Sequence, residues 1–288
     1  MRCRHCLSLL TVKNGHDKIG TQRYKCKSCK RRFCEKGYFA RFKHKPLDIV
    51  NTVYIRLKRQ SLRETRDTIA LLIYVHVSHV TVYHWCMKFM VLLLLWASLF
   101  RLPDSPVIHI DEKFVKVRGS KDSFAYLFVA IGTDSKIRAI YVANSRTKES
   151  AKELFKRLQK TGNPTEIAVT DKCQIYVNTV KYLGRKVRHV QAHFKPVGIV
   201  HKKKLMKISN NRIERLNSDI DLFLHVFRGL KSFKTAELWI RGFAVYHNYL
   251  KPSAVRFYKV HRMLISGRKI EVKPYFLLES ITFSVNRI

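Results

Sequence analysis

The stretch VIHIDEKFVKVRG (residues 107–119), followed by SFAYLFVAI (123–131), the turn GTDSK (132–136) and IRAIYVAN (137–144), decides how the chain folds. Each run is short, rich in β-branched and aromatic residues, and bounded by Gly, Asp, Ser or Asn. That pattern predicts three strands joined as an antiparallel meander. The period then changes. TKESAKELFKRLQKTG (147–162) reads as an amphipathic helix closed by Gly162. TEIAVTD (165–171) predicts a short apolar strand ending in Asp171, QIYVNTVKYLG (174–184) a second helix, and RKVRHVQA (185–192) a fifth strand. A long helical region is expected from about residue 210 to 250.

The order β-β-β-α-β-α-β-α is that of a ribonuclease H-like fold, an α/β domain with a mixed five-stranded sheet and flanking helices. In such a sheet the first and fourth strands are neighbours and a later helix packs across them. Three carboxylates stand at those places: Asp111 in the first strand, Asp171 ending the fourth, and Glu214 in SNNRIERLN (209–217). Converging carboxylates repel one another unless a cation holds them, and hard oxygen ligands favour magnesium or manganese. The other reading of Glu214, between Arg212 and Arg215, is a solvated helix residue. Glu112 follows Asp111, but strand alternation turns it to the opposite face, where it is structural or substitutes for Asp111. Asp134 reads as a turn residue. His109, His189, His193 and His201 could line the cleft.

The chain has 288 residues, with 57 Lys+Arg against 20 Asp+Glu and a formal net charge of +37. Hydrophobic residues make up 46%, too many for a disordered polycation. Such a charge predicts an anionic partner: nucleic acid first, then a membrane surface or a ribosome-like assembly. The longest apolar run, FMVLLLLWASLF (89–100), falls short of the ~20 residues that span a bilayer. It predicts a buried or self-associating helix. No membrane partner and no secretory signal are expected, and a cytoplasmic location is.

Two CxxC knuckles, Cys3/Cys6 and Cys26/Cys29, lie 19 residues apart, the pattern of a closed four-thiolate zinc site. Such a zinc is structural and folds a unit too small for its own core. Arg31 and Arg32 would offer phosphates a cationic surface, and Cys34 reads as a packed thiol. SLRETRDTIALLIYVHVSHVTVYHWCMKFM (61–90) opens with a capping box, Ser61 and Glu64, and Ser78 can cap a second helix. Val82, Trp85 and Phe89 form a buried stripe there. His79, Val80, Tyr83, His84 and Lys88 then face outward, as in the recognition helix of a helix-turn-helix; an ordinary helical hairpin is the alternative. Residues 1–45 are thus a zinc ribbon and 46–103 a helix-turn-helix with a connecting helix. Residues 104–252 form the sheet domain and 253–288 a C-terminal extension.

IHIDEKFVKVRG, YLFVAIGTDSK, TKESAKELFKRL, EIAVTD, NNRIERLNSD, VFRGLKSFKTAE and GFAVYHNYLKP resemble the DDE transposases of prokaryotic insertion sequences, most of all the IS-six-like group. YKCKSCKRRF and SHVTVYHW are similar to the zinc ribbon and helix-turn-helix of related proteins. The resemblance implies that Asp111, Asp171 and Glu214 are a catalytic triad sharing two Mg²⁺ or Mn²⁺ ions. It implies cleavage of double-stranded DNA at the element ends, strand transfer into target DNA, and a homodimer or larger assembly in the nucleoid. Arg212 and Arg215 would hold DNA. Two features depart from the pattern: a long interval from Asp171 to Glu214, and Asp221, with Asp219 nearby, where relatives carry a basic residue. Asp221 would repel phosphate or add a metal ligand. The alternatives are an inactive DNA-binding relic or regulator, and a structure-specific nuclease.

Overall fold

The computed structural model describes residues 3, 6, 8–16, 22–34, 44–98, 100–118, 124–192, 195–227, 230–251, 261–265 and 268–272. The described residues fall into two compact units that divide between Ile49 and Val50.

In the smaller unit, β1 (Thr11–His16), β2 (Gln22–Cys26) and β3 (Arg32–Cys34) form an antiparallel sheet in that order. The N–H groups of Cys26 and Lys27 reach the carbonyls of Arg31 and Leu10, tying the second knuckle to the start of β1. Tyr24 stacks on Phe33, yet around this sheet only Cys3, Cys26 and Phe33 form a buried cluster among the described residues. That apolar core is far smaller than domains of this length need.

The larger unit begins with α1 (Pro46–Leu57), which crosses the division, α2 (Leu62–Ile73) and α3 (His79–Ala97). Both expected caps form: Ser61 and Glu64 close a capping box on α2, and the Ser78 hydroxyl accepts from Thr81 N–H at the start of α3. Val82, Trp85, Phe89, Leu93 and Trp96 are buried along α3, while His84 and Lys88 are exposed and His79 and Tyr83 half-buried. The apolar run from residue 89 is the second half of α3 rather than a helix of its own. By length and composition α3 passes for a bilayer span. Its buried stripe lies against α7 (Phe233–Val245), as in the core helix of a folded domain.

The sheet follows as β4 (Val107–Lys116), β5 (Phe124–Gly132), β6 (Ile137–Ala143), β7 (Ile167–Thr170) and β8 (Arg188–Gln191). Its spatial order is β6-β5-β4-β7-β8. β4–β5 and β5–β6 pair antiparallel, β4–β7 and β7–β8 parallel, so the sheet is mixed. α4 (Lys148–Lys160), capped by Thr147, crosses from β6 to β7. Side chains alternate along β4. Ile108 and Ile110 pack with Leu154, Phe155 and Tyr176 on the α4 face, and Val107 packs with Val169, Val190 and Ile208 on the other. This is the mixed sheet with flanking helices that the strand order predicts.

Three details differ from the sequence reading. The second helix shrinks to α5 (Gln174–Val177) and a 3-10 turn, Val180–Leu183, because Val177, Asn178, Thr179 and Val180 are poor helix formers. The interval before Glu214 folds as a hairpin, β9 (Val197–His201) and β10 (Lys204–Ile208), turning on Lys202 and Lys203 with positive φ of 47° and 63°. The long helical region divides into α6 (Asn211–His225) and α7, since the Ser232 side chain accepts from Thr235 N–H and starts a new helix. α7 ends in a π-helical turn, Tyr246–Leu250, and β11 (His261–Ile265) and β12 (Arg268–Val272) form a further hairpin.

Gly242 sets the approach of α7 to α3. A Cβ there would lie 1.9 Å from Sδ of the fully buried Met90. Gly242→Val is therefore expected to cost about 1–3 kcal/mol through overpacking, although Gly is the weaker helix former. Urea unfolding followed by tryptophan fluorescence measures it, and unchanged stability would show that Met90 has room to move.

Candidate active site

Asp111 owes its position to register. The parallel pairing of β4 with β7 ends at His109 opposite Val169, so two residues later Asp111 comes level with Asp171, the first residue beyond β7. β4 runs on past its neighbour, and both carboxylates sit where the parallel pairing stops. Ligands of α/β sheets collect at such carboxyl ends.

α6 packs across β4 at this point. Glu214, Asn217 and Asp221, spaced i, i+3 and i+7, line one face of the helix. The Asn217 side-chain amide donates to Asp111 Oδ2 at 2.7 Å. Lys113, two residues along β4 on the same side as Asp111, donates to the Asn217 carbonyl at 2.8 Å and pairs with Asp221 Oδ1 at 2.5 Å.

Glu112 points to the opposite face, toward α4, and is almost wholly buried. One of its carboxylate oxygens accepts from the Arg146 guanidinium and the other from the Tyr176 hydroxyl. Asp171 Oδ1 accepts from Cys173 N–H at 2.9 Å, and Arg146 also donates to Cys173 Sγ at 3.3 Å. Ligand atoms of Glu112, Asp171 and Cys173 lie within 4.8 Å of one another. Asp111 and Glu214 stand outside that group. The structure thus brings Asp171 beside both acids of β4, and Glu214 one helical turn from the amide that holds Asp111.

Electrostatics separate the two β4 acids. Burial, then the charges of Glu112 and Asp171, push the Asp111 carboxyl up to about 7. Glu112 has a bound cation: its hydrogen bond raises the Arg146 guanidinium further. Burial and then Glu112 push the Tyr176 phenol well above its usual range. Asp111 has the neutral Asn217 amide and the Glu112 N–H, and no ion pair among the described residues, so a negative charge there is not neutralised by them. A divalent cation would relieve that repulsion, and carboxylate oxygens from Asp111, Asp171 and Glu214 are the hard donors that Mg²⁺ or Mn²⁺ takes. By donor chemistry the three acids suit such an ion, while the ligand atoms that already converge are those of Glu112, Asp171 and Cys173. Glu112, its oxygens already engaged, is the poorer substitute.

The remaining expected residues are placed as follows. Arg212 and Arg215 are exposed, with Arg212 also donating to the Thr133 carbonyl at 2.6 Å. His109 is buried, and burial followed by the Arg212 charge lowers its imidazole to about 4, so it stays neutral. His189 bonds the Thr170 hydroxyl and His201 bonds Glu166; His193 lies outside the described residues. Asp134 is a turn residue, accepting from Lys136 N–H and from Arg138. Asp221, 67% exposed, is paired with Lys113. Asp219 is paired likewise, with Arg59 and Lys251 at 2.5 Å each.

Sequence reading missed Lys113, Arg146, Tyr176 and Asn217. Only Asn217 left a signal, its three-residue spacing from Glu214 on a helix.

In the smaller unit, Cys3, Cys6, Cys26 and Cys29 bring their sulfurs within 4.8 Å of one another. The Cys3–Cys29 and Cys6–Cys26 separations are 3.6 Å. Sulfurs at the corners of a tetrahedron with Zn–S bonds of 2.3 Å stand about 3.8 Å apart, so the quartet fits zinc. The Cys29 N–H lowers the Cys26 thiol to about 6, while its hydrogen-bonded neighbour Cys6 is pushed up to about 12. Arg31 and Arg32 are exposed beside it.

Comparison with known proteins gives three findings. A family model described as a DDE domain, of the IS240 transposase type, matches residues 105–253. No curated protein matches the chain. Among solved structures, the simian T-cell lymphotropic virus intasome in complex with PP2A regulatory subunit B56 gamma is 16% identical, with a TM-score of 0.39 over 53% of this chain and 51% of that one. This chain therefore spans about half the length of that relative. The HTLV-2 integrase catalytic core domain in complex with magnesium is 14% identical, with a TM-score of 0.37 over 53% of this chain and 91% of that one. The BIV integrase catalytic core domain is 17% identical, with a TM-score of 0.36 over 62% and 98%.

Proposed function

Because the chain belongs to the DDE-domain family of IS240-type transposases, we propose that it binds the terminal inverted repeats of an insertion sequence, cuts the DNA there and transfers the cut strand to a target. Asp111, Asp171 and Glu214 hold two divalent ions in this reading. The observation that carries it is the pair Asp111 and Asp171, level on adjacent strands, with Asp111 half-buried and in no ion pair among the described residues. When bound, the ions supply activation of the attacking hydroxyl and charge stabilisation of an in-line displacement at phosphorus.

The protein's own groups do the rest. The Asn217 amide fixes the direction of the Asp111 carboxylate. Arg212 and Arg215, exposed on the first turns of α6, hold backbone phosphates beside the acids. No protein nucleophile is needed, so the 13 tyrosines serve no covalent step. The ribbon of residues 1–45, stabilised by zinc, presents Arg31 and Arg32 to phosphates. His79, Tyr83, His84 and Lys88 of α3 read the major groove. Two element ends must be paired, which calls for two or more copies on DNA.

The second reading is a DNA-binding relic, and the feature that favours it is Asp221, which pairs with Lys113 while 67% exposed. One incubation tests the proposal: protein, Mg²⁺, a labelled element-end duplex and a plasmid. Joined product supports the transposase, cleavage alone a structure-specific nuclease, and a gel shift without either the binder.

A further inference from the structure

Lys113 is the candidate that the mechanism above leaves unused. Its side chain is only 12% exposed, and it lies two residues along β4 from Asp111, on the same side. Two acceptors on α6 hold it, the Asn217 carbonyl at 2.8 Å and Asp221 Oδ1 at 2.5 Å. Asn217 is at once the residue whose side-chain amide grips Asp111 Oδ2 at 2.7 Å. The contacts form a closed circuit: β4 backbone, Lys113, the Asn217 backbone, the Asn217 amide and Asp111. Asp221 anchors the ammonium one turn further along the helix.

We propose that Lys113 is a positioning residue for the metal site: it pins the Asn217 turn of α6 to β4, and so fixes both the direction of the Asp111 carboxylate and the station of Glu214. This rests on the proposed function. A long side chain carrying a fixed charge is poorly hydrated at 12% exposure, and its two hydrogen-bonded acceptors offset that cost. Asp221, 67% exposed, contributes little by its charge alone and much by keeping the ammonium aimed at α6.

The sign of the effect makes the idea testable. An ammonium beside a cation site repels the cation, so if Lys113 acted through charge alone, Lys113→Met would tighten metal binding. Positioning requires the opposite. Groups that orient metal ligands typically contribute about 10- to 100-fold to metal affinity.

The experiment is a Mn²⁺ titration of the full chain followed by electron paramagnetic resonance, with thermal unfolding of each variant as a control for folding. Lys113→Met is expected to weaken Mn²⁺ binding about 10-fold or more, and Lys113→Arg, which keeps the charge and the donors, to recover most of it. Asn217→Ala is expected to weaken binding similarly. The double variant should lose no more than the worse single one, because the two act in series. If Lys113→Met does not fold, Asn217→Ala and Lys113→Arg carry the test. Tighter or unchanged binding in Lys113→Met, unchanged binding in Asn217→Ala, or additive losses overturn the inference. Asp111→Ala separates the two levels of the argument. If it leaves the Mn²⁺ signal of the wild type unaltered, the proposed function fails and this inference with it.

Discussion

Replacing Asp111 by Asn is expected to cut Mg²⁺-dependent cleavage of an element-end duplex to about a thousandth or less, with the gel shift of that duplex unchanged. The size follows from the charge removed. A divalent ion stabilises a transferring phosphoryl centre by several kcal/mol, and each ~1.4 kcal/mol is a decade in rate. Asn keeps the shape of the carboxylate and can still accept from the Asn217 amide, so the fold survives. Stability should even rise above neutral pH. Burial and the charges of Glu112 and Asp171 lift the Asp111 carboxyl from its ordinary 3.8 to about 7. The folded protein therefore favours the protonated form, and stability falls as pH rises through that range. A neutral side chain removes this cost, so Asp111→Asn should melt higher than the wild type at pH 8 in metal-free buffer. A residue that lowers stability where it stands is what a functional carboxylate leads one to expect.

Glu112 supplies the contrast. Glu112→Gln deprives Arg146 of its charge partner and leaves Tyr176 a weaker acceptor. It should cost roughly 1–3 kcal/mol of stability while retaining measurable cleavage. Rates from quenched single-turnover assays and melting temperatures on the same preparations decide between them. If Glu112→Gln abolished cleavage and Asp111→Asn spared it, the group Glu112, Asp171 and Cys173 would be the site, and the assignment to Asp111 would be wrong.

The sequence disclosed the sheet because its signal is local. Alternation and turn residues in 107–144 report the meander, and strand order follows from the helices between runs. It also disclosed the candidate acids, since a carboxylate ending an apolar strand has no reason to be there in a core. It could not disclose what surrounds them. Lys113 finds Asp221 across 108 positions of chain, and Glu112 finds Arg146 just before α4 and Tyr176 in α5. Those partners depend on register and helix rotation, which no window of sequence contains. The hairpin at 197–208 was missed for a different reason. Its turn uses Lys202 and Lys203 at positive φ, where Asn or Gly would have announced it.

If the quartet holds zinc as proposed, the Cys26→Ser exchange is expected to release it and to unfold the β1–β3 sheet. Ordering a residue costs about 1–2 kcal/mol in backbone entropy, so a unit of this length needs tens of kcal/mol in compensation. Its apolar return is meagre: Phe33 with Tyr24 stacked on it, and the cysteines themselves. Burying a large side chain contributes only about 1.5–3 kcal/mol. A four-thiolate zinc contributes about 10–16 kcal/mol in zinc-finger peptides, more than any other single interaction available to these strands. Removing one sulfur opens the tetrahedron and forfeits most of that. Cys34 is the internal control. It is half-buried in the same unit but not in the quartet, so Cys34→Ser should keep its zinc. The readout separates the units cleanly, because Trp85, Trp96 and Trp239 all lie in the larger one. Their fluorescence reports the larger unit alone, and amide resonances of β1–β3 report the smaller one. Loss of one equivalent of zinc in a colorimetric chelator assay, with collapse of those resonances and an unaltered tryptophan transition, is the expected outcome. A Cys26→Ser protein that kept its β1–β3 resonances without zinc would show that the sheet stands by its own packing, and the metal's structural role would be lost.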